Sequence, residues 1–245
     1  MSKIYADTIE TENSNVDITL GAAGAAVLIP SGATLKTNKI ADAGANNIFT
    51  SDGSGNLTVP SAFGGAFNLL ATNTFTDASS STFTSLIDST YDAYVFTWNA
   101  ANPATDQAHF TFQCSTDGGS NYNVTMTTSC FSTYHYENDT GAALNYASSE
   151  DQAQGTAYQV IGRYCSNAAD ACGSGVMYLF NPSSTTYVKH FYSTGNNMEG
   201  GGSPGTMETF SAGYFNTTSA LNAASFKMSS GNMDGEIKMY GISKS

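Results

Sequence analysis

The densest local chemistry in this chain lies at Ser115-Thr116-Asp117-Gly118-Gly119-Ser120-Asn121-Tyr122. A carboxylate set two residues after a hydroxyl and just before two glycines can accept backbone N–H bonds across a tight turn. The glycines supply positive φ there, and the aromatic ring anchors the returning strand. Ser115, Asp117, Gly119 and Tyr122 therefore read as a structural hairpin. The three histidines, His109, His135 and His190, show no i, i+4 pair on a helix, and His190 sits in the strand-like Tyr187-Val188-Lys189-His190-Phe191. Glu137-Asn138-Asp139 and Glu150-Asp151 bring carboxylates close in sequence, but in polar stretches where solvated acids are the rule. Asp52-Gly53-Ser54-Gly55-Asn56 lacks the later bidentate Glu of a calcium loop and reads as a turn. No P-loop, dinucleotide fingerprint or G-x-S-x-G occurs. The expectation is a chain with no catalytic residue, metal site or cofactor. Tyr134, His135, Tyr136 and Tyr158 offer flat amphipathic rings suited to sugars or protein partners, and form the candidate recognition surface.

Charge narrows the partners. The chain of 245 residues carries a formal net charge of −12, with 11% charged residues and a single arginine, Arg163. Such a chain has few cations with which to displace counterions from phosphates, so nucleic acid and anionic membranes are poor partners. The opening Met1-Ser2-Lys3-Ile4-Tyr5-Ala6-Asp7 lacks the apolar core of a secretory signal, and no apolar run reaches membrane-spanning length. Synthesis in a cytosol without general export is expected, and no membrane insertion. Cys114, Cys130, Cys165 and Cys172 show no C-x-x-C spacing. Reduced, mostly buried thiols are the simplest reading, although Cys165 and Cys172 are near enough in sequence to bridge a loop.

The elements that position these residues are strands. Ser, Thr, Asn and Gly replace charge on the polar positions, which favours strands and turns over helices. The character changes near Pro60. Residues 1–62 contain only Tyr5 and Phe49 as aromatics, with β-prone phrases at 16–20, 27–30 and 56–59. That segment has too little apolar mass to bury a core alone, so it reads as an arm or shaft that packs against sister copies or a larger assembly. From residue 63 onward, strand-length runs recur. His109-Phe110-Thr111-Phe112-Gln113-Cys114 alternates, and Tyr122 to Met126 alternates as well. Val176-Met177-Tyr178-Leu179-Phe180 is apolar throughout and reads as a strand buried on both faces. Further runs lie at 93–98, 156–164, 186–193, 209–215, 223–228 and 236–242, and a helical turn is expected near 83–87. The expected fold is all-β, with residues 1–62 as an extended N-terminal arm and residues 63–245 as a jelly-roll-like antiparallel β-sandwich.

Residues 115–122 resemble the Asp box of sialidases, S-x-D-x-G-x-x-aromatic, which is structural in those enzymes. More broadly, the chain resembles virion structural and tail-fibre-like proteins of tailed bacteriophages, especially those of marine hosts. The phrases that carry this are 88–96, 115–122, Asn181-Pro182-Ser183-Ser184-Thr185-Thr186-Tyr187-Val188-Lys189-His190-Phe191 and Gly235-Glu236-Ile237-Lys238-Met239-Tyr240-Gly241-Ile242. The opening 2–10 and the phrases at 18–21 and 29–35 resemble fibre N-termini. The resemblance implies a homotrimeric fibre or spike subunit, attached to other virion proteins through residues 1–62. Its head would face a host-surface glycan or protein. It implies virion localisation and no enzyme activity. A capsid decoration protein is the alternative, and a glycan depolymerase a lesser one.

Overall fold

The computed structural model describes residues 39–41, 47–51, 54, 57–58 and 66–243. The chain divides into two units, Met1–Pro60 and Ser61–Ser245. In the first, β1 (Lys39–Ala41), β2 (Asn47–Ser51) and β3 (Leu57–Thr58) form an antiparallel three-stranded sheet in that order. The phrases at 16–20 and 27–30, the resembling openings at 2–10, 18–21 and 29–35, and all of 52–56 except Ser54 lie outside the described residues.

The second unit is all-β. Its strands are β4 (Phe67–Ala78), β5 (Ser81–Phe83), β6 (Ala93–Pro103), β7 (Ala108–Ser115), β8 (Met126–Tyr136), β9 (Ala142–Tyr146), β10 (Ala153–Gly155), β11 (Gln159–Cys165), β12 (Gly173–Phe180), β13 (Lys189–Glu199), β14 (Gly205–Phe215), β15 (Ala223–Met228) and β16 (Met233–Ile242). Every pairing among them is antiparallel. A large sheet runs β4-β16-β6-β12-β13-β14-β8, with β9 and β10 pairing on β8. A smaller sheet, β11-β7-β15-β5, packs against it. The two sheets touch through the backbone at a single register pair, Cys165 with Glu199. At the opposite seam, Asn73 Nδ2 on β4 donates to the carbonyl of Thr82 at 3.1 Å and to Ser81 Oγ at 3.1 Å on β5. The result is a sandwich that curls almost into a barrel.

Alternation sends one face of each strand inward. Phe110 and Phe112 on β7 meet Phe226 on β15 and rings of the large sheet, with Phe112 4.7 Å from Phe191 and 6.0 Å from Phe215 between centroids. Phe83, Phe96, Met177, Leu179, Ile237 and Met239 complete this apolar core. Trp98, 4% exposed, lies against Gly175 of β12 and Gly195 of β13. Those neighbours must lack a side chain because the indole fills the space that a Cβ would take. Close packing of this kind tolerates little added volume.

The other end of the sandwich is polar inside. There β11 faces β13, β14 and β8, and the inward residues are Ser193, Asn197, Thr209, Ser211, Thr128, Ser132, Gln159 and Arg163. Arg163 donates from Nη1 to Ser132 Oγ at 2.7 Å and from Nη2 to Glu150 Oε1 at 3.1 Å. Its backbone N–H donates to Thr209 Oγ1 at 3.1 Å. Ser211 Oγ donates to the carbonyl of Val160 at 2.7 Å, and Thr128 Oγ1 to Gln159 Oε1 at 2.6 Å. Lys189 is also fully buried, and its Nζ donates to the carbonyls of Thr217 and Ser219 at 3.1 and 2.7 Å. Desolvation lowers its pKa.

Three local expectations need correction. No helical turn forms at 83–87. Phe83 and Ile87 both turn into the core, 3% and 4% exposed, and bends carry the chain onward. Residues 122–125 make no ladder; the strand begins at Met126 because the chain there is crossing from one sheet to the other. The strand expected at 156–164 begins only at Gln159, since the carbonyls of Thr156 and Ala157 are taken by Gln113 Nε2 at 3.1 Å each.

Gly175→Ala should cost about 2 kcal/mol of folding stability through overpacking against Trp98. Chemical denaturation followed by tryptophan fluorescence would check it, and an unchanged midpoint would refute the packing argument. Arg163→Met should cost more, about 3 kcal/mol, because it leaves the Glu150 carboxylate without its partner in a site of 10% side-chain exposure. Denaturation by urea at neutral pH measures that loss.

Candidate binding surface

The motif at 115–122 builds a closed local network. Ser115 Oγ donates to Asp117 Oδ1 at 2.6 Å and accepts the N–H groups of Asp117 and Gly119 at 3.1 and 3.0 Å. Asp117 Oδ1 accepts the N–H of Asn121 at 2.9 Å, and Oδ2 accepts Asn121 Nδ2 at 2.7 Å. Gly118 and Gly119 take φ of 74° and 92°, and a Cβ at Gly119 would stand 2.7 Å from the Tyr122 hydroxyl. These hydrogen bonds hold the Asp117 carboxyl down at about 2. The turn does not close a hairpin, however. Strand β7 pairs with β11 and β15, and the chain leaving Tyr122 crosses to β8 in the large sheet. All ligands of the network are internal, so it positions backbone.

The four candidate recognition residues do not share one surface. Tyr134, His135 and Tyr136 belong to strand β8. Tyr134 and Tyr136 stack on one face with centroids 4.9 Å apart, while His135 points the other way and meets Asp139 at 3.0 Å. The nearby Glu199 charge raises the Tyr136 hydroxyl pKa. Tyr158 lies with the smaller sheet, its hydroxyl donating to Ser225 Oγ at 3.2 Å and its ring 4.2 Å beneath Lys227 Nζ. The carboxylates are likewise dispersed. Glu150 serves Arg163, and Asp151 accepts the Tyr146 hydroxyl at 2.5 Å. His109 is held by burial, its pKa lowered, and accepts the N–H of Tyr164 at 3.2 Å. Among the described residues no group of three His, Cys, Asp or Glu is placed to hold a metal. The four cysteines are free thiols, with Cys114, Cys130 and Cys165 buried and Cys172 exposed.

The surface that does concentrate unusual chemistry is the outer face of the large sheet. Six of the eight most exposed large apolar side chains among the described residues sit on its strands: Phe67, Leu69, Phe131, Leu144, Tyr146 and Tyr192. Phe131 pairs in register with Phe210 on β14 and Tyr146 on β9. The rings of Phe131 and Phe210 stack at 4.8 Å and 12°. Tyr178 and Tyr192 stack at 4.9 Å and 22° across β12 and β13, with Phe180 5.7 Å from Tyr192. Between the two stacks lies a slot of about 300 Å³, bordered by Phe131, Phe210 and Tyr192 with Ala212 and Ser129 among its lining.

Comparison with family models, with curated proteins and with solved structures finds no match.

Sequence reasoning pointed toward this face without locating it. Val176 to Phe180 reads as buried on both faces, yet Val176, Tyr178 and Phe180 on the outer side stay partly exposed while Met177 and Leu179 are fully buried. That is a correction, and the exposed side is the face just described. Chemically the face offers dispersion contact and rings, with hydroxyls from Ser129 and Thr194, and its one His–carboxylate pair, His135 with Asp139, lies at the far end of β8.

Asp117 gives a pH test of the turn. Its folded-state pKa is depressed, so its stabilisation is complete above the ordinary value of 3.8 and is lost as pH falls from there through about 2. Asp117→Asn should therefore lower the urea midpoint most at about pH 6 and progressively less toward pH ~2. A difference that does not vary with pH would show that the carboxylate charge plays no part.

Proposed function

We propose that the chain is a structural subunit of a bacteriophage virion, a short fibre or spike. Residues 1–62 attach it to the particle and the β-sandwich is presented at the host surface. The observation that supports this best is the broad apolar outer face on a chain of net charge −12. Large exposed apolar patches mark protein interaction sites. An acidic chain with one buried arginine is ill-suited to nucleic acid. Asp117, Asp139, Glu150 and Asp151 serve local hydrogen bonds or ion pairs, which suits a protein that works by contact. The phrases at 88–96, 115–122, 181–191 and 235–242 point to the same family of appendages.

Labelling the chain on purified particles and imaging them tests the reading. A fibre or spike should appear at the tail or at a vertex, in tens of copies or fewer. Hundreds of copies spread over the capsid would make it a decoration protein instead. Absence from purified particles would overturn both.

A further inference from the structure

We propose that the outer face of β12, β13, β14, β8 and β9 is covered by a second copy of this chain, with an apolar side chain of that copy entering the slot between the two ring stacks. The inference stands apart from the virion reading, since it concerns the chain in solution.

Four observations carry it. Strand β12 has the residue pattern of a doubly buried strand, and only its inner side is covered. In the centre of β8 and β14 the usual polarity is reversed. Thr128, Ser132, Thr209 and Ser211 point inward, while Phe131 and Phe210 point out. Charge selects the occupant. On these five strands the outward residues include one carboxylate, Glu208, which accepts a bond from Thr194 Oγ1 at 2.6 Å. Two copies of a chain at −12 repel wherever their acids meet, and the centre of this face lets them approach with little of that cost, Asp139 and Asp151 standing at its edges against His135 and Tyr146. The same surface also holds both halves of a fit. Phe131 at the slot pairs in register with Tyr146 on β9, and Tyr146 and Leu144 on the same face stand 61% and 68% exposed.

A sugar ligand fits less well. Sugars pack on open ring faces, and here each ring of the Phe131–Phe210 and Tyr178–Tyr192 pairs has one of its two faces taken by its partner. Size agrees with a protein partner. Strands β8, β13 and β14 each run 11 residues. With flanking strands at ~4.8 Å spacing and ~3.3 Å per residue, the face covers on the order of 700 Å². A stable interface takes ~800 Å² from each partner.

The test uses the full chain, purified, with Tyr192 replaced by the photoreactive p-benzoylphenylalanine. Illumination should give an adduct between copies, and peptide mapping should place it on outer residues of β8, β9, β12, β13 or β14. Adding Ser129→Lys puts a charge at the slot without removing a ring, and should cut that adduct about tenfold. The same photoreactive residue at Tyr187, more exposed than Tyr192 but in the connection before β13, should give no adduct on this face. The proposal is overturned if Tyr192 yields no inter-copy adduct, or yields adducts within one chain to residues 1–60. It is equally overturned if the adduct is indifferent to Ser129→Lys, or if an added neutral oligosaccharide blocks labelling of a chain that sediments as a monomer.

Discussion

Arg163 joins two sheets that share a single backbone register pair. The side-chain bridge it makes to Ser132 and Glu150, with Thr209 accepting its N–H, fixes β11 beneath β14 and β8. Without that bridge the β14-β8-β9 wing would keep its ladder to β13 and, across to β11, the bonds of Ser211 to Val160 and Thr128 to Gln159. Everything that distinguishes the molecule outwardly is built on that wing: the Phe131–Phe210 stack, the slot and the exposed Leu144 and Tyr146. A buried ion pair contributes little net stability compared with apolar packing, and is costly mainly when one partner is lost. Its value here is positional. In a chain of so few cations, the one arginine is spent inside.

The strands that the sequence discloses most readily are those with an apolar inner face. Residues 223–228 fall on β15, and 109–114 fall within β7, whose Phe110, Phe112 and Cys114 alternate cleanly. Strand β8 is hidden for the opposite reason. Its central inward residues are Thr128, Cys130 and Ser132 and its outward ring is Phe131, so period-two reading assigns the wrong face or none. Strand β4 escapes because Leu70 and Ala71 are adjacent and the ladder to β16 shifts register near them, which breaks alternation on an edge strand. In the motif at 115–122 the Asp117 carboxylate accepting a backbone N–H was legible, while the bonds to Asn222 and the topology were not. Local spacing specifies a turn, but which sheet receives the chain afterward depends on β11 and β15, far away in sequence.

The tyrosines show the same division. Tyr134-His135-Tyr136 reads as one aromatic cluster, but a strand separates it into two faces, and Tyr158 belongs to another sheet altogether. The residues that do converge, Tyr178, Tyr192, Phe210 and Phe131, are spaced across four strands and 80 positions. Only the register of β12, β13, β14 and β8 brings them together. Composition hinted at the outcome, because a chain with 12% aromatics and few charges has more ring surface than one core absorbs.

Energetics explain why the wing needs something on its outer side. A fully buried large apolar side chain contributes roughly 1.5–3 kcal/mol, and the central core gains this at Phe96, Phe112, Phe226 and their neighbours. The wing gains it inward at Met126, Met207 and Phe215, but its centre does not: there hydroxyls, an amide and a guanidinium exchange water for protein at roughly 1 kcal/mol net per hydrogen bond. Its ordering entropy is no smaller than that of any other strands. Its unspent hydrophobic free energy lies outside, on side chains still 41% to 68% exposed at Phe131, Tyr146 and Leu144 and at Tyr192 of neighbouring β13. Covering those four groups would release on the order of half their full burial value, several kcal/mol in all. Where β8 and β14 turn Ser132 and Thr209 in and Phe131 and Phe210 out, the outer side is therefore half of a second core, completed only by what packs on it.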